Sequence, residues 1–176
     1  MKTIIVDNFF DNFNLIENEF KKIKLYTQEE FNNLQESITG IKETWPGYRS
    51  LLLSEINPFL FNLFLKEFNI KFDNFFNGKL FKAKTHIHLR LKEDEEKDWI
   101  HTDNPAHYSF LVYLSKTNLD SGTQLISEKK ELITDIKFVQ NRAILFDSNY
   151  NHRAKGNHGT DIHNGRLTFN AFFNIM

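Results

Sequence analysis

Phe81-Lys82-Ala83-Lys84-Thr85-His86-Ile87-His88-Leu89-Arg90-Leu91-Lys92 alternates along its whole length. Phe81, Ala83, Thr85, Ile87, Leu89 and Leu91 fall on one side, and the Lys, His and Arg residues fall on the other. A period of two belongs to a β-strand with one apolar and one polar face. Further strands are predicted over 108–114, 123–126, 136–139, 143–146 and 167–175. Asn118-Leu119-Asp120-Ser121-Gly122 carries turn chemistry between two of them. Short strands separated by turns predict a mostly β protein, a barrel or jelly roll.

Upstream of this stretch the pattern is helical. Ile4-Ile5-Val6 reads as a short strand, and Leu15, Ile16, Phe20 and Ile23 recur at helical spacing over 13–24. Thr27-Gln28-Glu29-Glu30 is a capping box that opens a second helix, with Thr27 as N-cap and Glu30 three residues on. Trp45-Pro46-Gly47-Tyr48-Arg49 is a turn with aromatic flanks, placed either at the mouth of the barrel or packed under the sheet. A strongly apolar helix is predicted from 57 to 68. Pro58 sits in its first turn, and Phe59, Leu60, Leu63, Phe64 and Phe68 form its buried side. Residues 1–78 thus form mainly helical support for a core over 79–176. No repeat or linker divides them, which predicts one domain over 1–176.

Composition excludes several classes. The chain has 176 residues, enough to bury a sizeable core. Lys and Arg number 22 against 23 Asp and Glu, so no broad basic footprint exists for nucleic acid. The absence of cysteine removes disulfides, thiolate metal sites, iron–sulfur clusters and a Cys nucleophile. No apolar run is long enough to cross a membrane. The opening Met1-Lys2-Thr3-Ile4-Ile5-Val6-Asp7 is too short in apolar residues for a signal peptide, which predicts a soluble cytoplasmic protein.

The seven histidines all lie between His86 and His163. His101-Thr102-Asp103 places an imidazole and a carboxylate two residues apart, on one side of a strand end. By itself a His near an Asp is commonplace on surfaces. With His152 as third ligand, the set becomes two imidazoles and one carboxylate, the facial triad of non-haem Fe(II) sites. Arg166, Thr168 and Asn170 share one face of the last strand. A guanidinium inside a barrel pocket requires an anion, and a dicarboxylate meets it bidentately. The plainer reading of Arg166 is a surface cation, and Arg90 is the second choice for the carboxylate partner. For His86 and His88 a solvent-facing strand, a pocket wall and a pair of metal ligands compete, the last disfavoured because no carboxylate is in register with them. Asp147 is a rival carboxylate, read more simply as the end of a strand. His107 reads as a surface or substrate-side residue, while His158 and His163 lie in a Gly-rich loop and are expected at the surface.

The ordered set His101-Thr102-Asp103-Asn104-Pro105, Tyr108 to Ser115, Ser121-Gly122-Thr123, His152-Arg153 and Arg166-Leu167-Thr168 resembles the 2-oxoglutarate- and Fe(II)-dependent oxygenases. It is most similar to their prolyl-hydroxylase-like branch. The resemblance implies a double-stranded β-helix, a cupin-like jelly roll, flanked by N-terminal helices. It implies Fe(II) held by His101, Asp103 and His152, which are then also the catalytic residues. It implies 2-oxoglutarate as co-substrate, bound by Arg166, with Tyr113 on the same carboxylate and Thr168 contributing a hydroxyl. The Ser121-Gly122-Thr123 turn corresponds to a Gly-rich hairpin of the family. The interval from His152 to Arg166 is longer than the family's usual one, and the extra length falls in 155–165. The implied activity is a dioxygenase that couples oxidative decarboxylation of 2-oxoglutarate to hydroxylation. Its partners would be 2-oxoglutarate, dioxygen and a primary substrate that is a protein side chain or a small molecule. Two other readings stand beside it. One is a cupin-like metalloenzyme that does not use 2-oxoglutarate, and the other is a non-catalytic jelly-roll binding or structural module.

Overall fold

The structure, a computed structural model, describes residues 3–39, 44–72, 75–97 and 99–176. In chain order the elements are β1 (Ile4–Val6), α1 (Phe13–Phe20), β2 (Tyr26–Thr27), α2 (Gln28–Thr39), β3 (Tyr48–Arg49), α3 (Leu53–Ile56) and α4 (Pro58–Lys71). They continue with β4 (Phe81–Arg90), a 3-10 turn (Lys92–Lys97), β5 (Tyr108–Tyr113), β6 (Asn118–Ile126), β7 (Leu132–Phe138), β8 (Ala143–Asp147), β9 (Asn151–Lys155) and β10 (Arg166–Ile175). Two antiparallel sheets form. The larger has the order β1-β8-β5-β10-β4-β3-β2, and the smaller has the order β7-β6-β9. This is the expected jelly-roll core with helices at its N-terminal side.

The alternation of β4 explains the layering. Ile87 and Leu89 join Phe169, Ala171 and Phe173 of β10, Phe110 and Val112 of β5, and Leu145 of β8 in one apolar cluster. The helices cover that face with Ile16, Phe20, Leu60, Phe64 and Phe68. Phe64 lies 4.6 Å from Phe169 and 5.8 Å from Phe68, ring centre to ring centre. The opposite face of the same strands looks toward the small sheet. Leu111, Tyr113, Leu125, Ile136, Phe138, Ile144, Phe146 and Tyr150 form a second cluster there, and the rest of the space is polar. His86 and His88 are therefore buried, at 5% and 4% exposure, and the solvent-facing reading of that strand side is overturned.

Local expectations hold at the helix starts. Thr27 Oγ1 accepts from Glu30 N at 3.2 Å and Thr27 N donates to Glu30 Oε2 at 2.8 Å, closing the capping box. Asn57 caps α4 by accepting from Leu60 N. Three expectations need correction. Phe59 is 60% exposed, so the buried stripe of α4 begins at Leu60. The first helix stops at Phe20, where Lys22 N and Ile23 N bond back three residues and tighten the chain out of the α-form. The turn residues 118–122 lie within β6, where they make a register irregularity instead of ending the strand. Asp94, in the charged run that follows Lys92, is buried and accepts from Leu91 N at 2.9 Å, a placement outside any of these expectations. Among the described residues no helix is long and apolar enough to cross a membrane.

Candidate metal and co-substrate site

His101 and His152 meet through the backbone. His101 N donates to His152 O at 3.0 Å and His152 N donates to His101 O at 2.8 Å, an isolated antiparallel bridge that seats the two side chains together. Their ring centres are 4.4 Å apart. His152 belongs to β9, a strand absent from the sequence-based expectation. Asn151-His152-Arg153-Ala154-Lys155 has no apolar alternation, because His152 is its one fully buried residue.

Each ring is turned by a carbonyl. His101 Nδ1 lies 2.9 Å from Trp99 O, and His152 Nδ1 lies 3.0 Å from Tyr150 O. A carbonyl oxygen can only accept, so both Nδ1 atoms carry a proton and the Nε2 atoms are the nitrogens left to bind a metal. Those Nε2 atoms face Asp103, at 3.7 Å from Oδ1 for His101 and 3.3 Å from Oδ2 for His152. One ligand atom from each of the three residues lies within 4.8 Å of the others. Two imidazoles presented through Nε2 and one carboxylate are a donor set suited to a divalent cation, and a carbonyl behind each ring is the usual support for a metal-binding His.

Asp103 is itself anchored. Its Oδ2 accepts from Ser109 Oγ at 2.6 Å, Ser109 Oγ is 2.7 Å from Ser148 Oγ, and Asp103 N donates to Ser148 O. Burial pushes its carboxyl up, but hydrogen bonding and charge from His152, together with Ser109 and His101, outweigh this and hold it at about 2. Burial, followed by the charge of His152, lowers His101 from its ordinary value. Ser109 and Ser148 went unnoticed in the sequence. Period-two alternation does place Ser109 on the inner face of β5, beside Leu111 and Tyr113.

His101, Asp103 and His152 line a cavity of about 570 Å³ between the sheets. Arg166 and Thr168 line it too, on β10, with Arg90 and His88 directly across on β4. Arg166 is 4% exposed, and its Nη2 donates to Gly122 O at 3.0 Å. Gly122 is required at that point, because a Cβ there would lie 2.1 Å from Ile136 O. Burial, followed by the charges of Arg166 and Arg49, pulls Arg90 down to about 9, which leaves it protonated at neutral pH. Thr168 Oγ1 donates to Asn170 Oδ1 at 2.7 Å. Tyr113 lies one layer behind the wall. Its ring stacks on Phe138 at 4.1 Å, its hydroxyl donates to Thr123 Oγ1 at 2.9 Å, and the Arg166 guanidinium is 5.8 Å from its ring centre. Burial raises its phenol to about 12 against the pull of Arg166.

Other sequence candidates fall elsewhere. Asp147 accepts from Asn149 N and Asn149 Nδ2 at the end of β8. His107 is exposed, and its Nδ1 accepts from Ile175 N. His163 is exposed as expected, whereas His158 is half-buried, edge-on to Phe138 at 5.8 Å. The 155–165 segment folds back on the barrel end, with Lys92 N donating to Gly159 O.

No protein-family model matches the sequence, and no curated protein matches it. Solved structures do match the fold. An oxidoreductase of the 2OG-Fe(II) oxygenase family from Burkholderia pseudomallei is 11% identical, with a TM-score of 0.65, covering 98% of this chain and 84% of its own. A prolyl-4-hydroxylase from Pseudomonas putida is 13% identical at a TM-score of 0.57, covering 98% of this chain and 91% of its own. The non-heme alpha ketoglutarate dependent epimerase SnoN from nogalamycin biosynthesis is 11% identical at 0.62, with 98% and 77% covered. The chain has the fold of the 2OG-Fe(II) oxygenases, prolyl 4-hydroxylases among them.

Proposed function

We propose that this protein is an Fe(II)- and 2-oxoglutarate-dependent dioxygenase, a hydroxylase that couples decarboxylation of 2-oxoglutarate to oxidation of a C–H bond. The observation that carries the reading is the pair of carbonyl-locked imidazoles whose Nε2 atoms converge on Asp103 inside a cavity bearing a buried arginine. His101, Asp103 and His152 would hold the iron, and their three donors on one side leave positions open for co-substrates. Bound iron with 2-oxoglutarate supplies the dioxygen activation that side chains lack.

The remaining work belongs to the chain. Trp99 O and Tyr150 O keep each Nδ1 protonated and each Nε2 available. Ser109 fixes the Asp103 carboxylate. Arg166 binds the distal carboxylate of 2-oxoglutarate, with the Thr168 hydroxyl nearby, and Tyr113 acts from behind the wall through Thr123. The walls of the two sheets exclude bulk water, which strengthens each charge interaction inside. The test is Fe(II)-dependent conversion of 2-oxoglutarate to succinate, a readout that does not require the primary substrate to be known. His101→Ala, Asp103→Ala and His152→Ala are each expected to abolish it, and full turnover in all three would overturn the proposal.

A further inference from the structure

His88 has a ring nitrogen that the fold leaves unused. Its Nε2 lies 3.0 Å from Pro46 O, and a carbonyl oxygen only accepts, so Nε2 carries the proton. Burial, followed by the charges of Arg49 and Arg90, holds the ring well below its ordinary value, so it takes no second proton at neutral pH. Nδ1 is therefore a bare acceptor. Among the described residues it has no hydrogen-bond partner, although His88 is only 4% exposed. Nor is it sealed within the packing, as the unpartnered Thr85 Oγ1 on the opposite face of β4 is. His88 lines the cavity, so that is the space onto which Nδ1 opens.

An acceptor left unpaired against a ligand costs binding free energy, and a ligand that brings a donor recovers it. 2-Oxoglutarate is not that ligand, because its keto and carboxylate oxygens only accept. The nearest hydroxyl is already spent. Thr168, directly across on β10, gives its hydrogen to Asn170 Oδ1 at 2.7 Å. Along β4, His88 lies between Arg90, which faces Arg166, and Lys84, which faces Phe172. It thus stands between the proposed co-substrate anchor and the far end of the cavity. Trp45, Phe146 and Phe172 give the same cavity aromatic walls.

We infer that the primary substrate carries a hydroxyl or N–H group that donates to His88 Nδ1, which makes His88 a specificity-determining residue. This rests on reading the cavity as the metal and 2-oxoglutarate site, since that reading makes the co-substrate a ligand without donors.

Two variants separate this role from the tie to Pro46. His88→Gln puts an amide nitrogen near the Nε2 position, so a donor for Pro46 O remains while the acceptor at Nδ1 is lost. His88→Asn does the converse, with its oxygen near the Nδ1 position. The full-length protein, loaded with diamagnetic Zn(II) and 2-oxoglutarate, would be titrated with two pairs of aromatic probes. Phenol is matched with donor-free fluorobenzene, and benzamide with donor-free acetophenone. The nitrogen NMR resonance of His88 Nδ1 reads the contact directly, and the probes' own resonances give affinities in the variants. A saturable shift with phenol or benzamide, at ~10-fold higher affinity than the matching isostere, is expected. The pair with the larger ratio assigns hydroxyl or N–H. That preference should vanish in His88→Gln and persist in His88→Asn. A proton on Nδ1, no saturable shift with either donor, or a preference surviving in His88→Gln would overturn the inference. So would equal loss of the preference in both variants, which marks a structural role alone. Failure of the metal and co-substrate reading looks different: 2-oxoglutarate gives no Fe(II)-dependent absorption band, while the donor preference at His88 remains readable without metal.

Discussion

The two faces of β4 and β10 are built from alternate residues of the same strands, yet they solve opposite problems. Outward, Ile87, Leu89, Phe169 and Phe173 pack against Phe64 and Phe68. Inward, His86, His88, Arg90, Arg166 and Thr168 are nearly as buried but polar. Burying two guanidiniums and two imidazoles is costly. The outward face offsets that cost, since each large aromatic removed from water stabilises the fold by a few kcal/mol. The difference teaches that the phenylalanine-rich half serves the site without touching it: it holds strands rigid enough to keep charged groups facing one another.

That division can be attacked from either side. On the outward face, Phe64→Ala should cost about 3–5 kcal/mol, read by urea unfolding, because Phe64 is fully enclosed and touches Phe9, Phe68, Phe110, Phe169 and Phe173. A cost below about 1 kcal/mol would show that the outward face does not carry the fold. On the inward face, Arg166→Ala should raise the 2-oxoglutarate concentration needed for half-saturation by ~10- to 100-fold, while Fe(II) affinity stays put. If neither moves, Arg90 takes over as the anchor.

The inward histidines predict a pH effect with a definite sign. Burial, and then the charge of Arg49, hold folded His86 at about 3, against 6.5 unperturbed. The unfolded chain therefore takes up the proton first, and stability falls as pH drops below 6.5, levelling off near 3. The slope is about 1.4 kcal/mol per pH unit for His86, or about 2 kcal/mol lost by ~pH 5. His88, lowered well below its ordinary value mainly by burial, acts in the same direction. Urea unfolding across this range should show the slope, and His86→Gln, which keeps a donor for Ser50 O, should reduce it. A flat profile would mean that these rings are not buried neutral. The smallest effect is expected at the capping box, where Thr27→Ala should cost about 1 kcal/mol without altering the cavity.

Much of the fold was legible in the sequence because alternation is a local signal. The period of β4 placed its apolar residues correctly, and the capping box marked the start of α2. What alternation cannot say is what lies across from the polar side. With only one strand in view, water is the simplest partner for His86 and His88, and it took the small sheet to enclose them. β9 escaped notice for a related reason. Its polar residues are satisfied by β6 and by the surface, leaving no hydrophobic periodicity to read. The order of short motifs singles out His101, Asp103 and His152 as candidates, while the carbonyls that turn the two rings depend on chain geometry with no residue signature.

The central claim is that His101, Asp103 and His152 form one divalent-metal site beside a 2-oxoglutarate anchor. Anaerobic titration of the full-length protein with Fe(II), followed by 2-oxoglutarate, tests it most directly. One equivalent of iron should bind, and 2-oxoglutarate should then produce a visible metal-to-ligand charge-transfer band that Asp103→Ala lacks. Absence of stoichiometric iron, or a band that persists in Asp103→Ala, would contradict the claim.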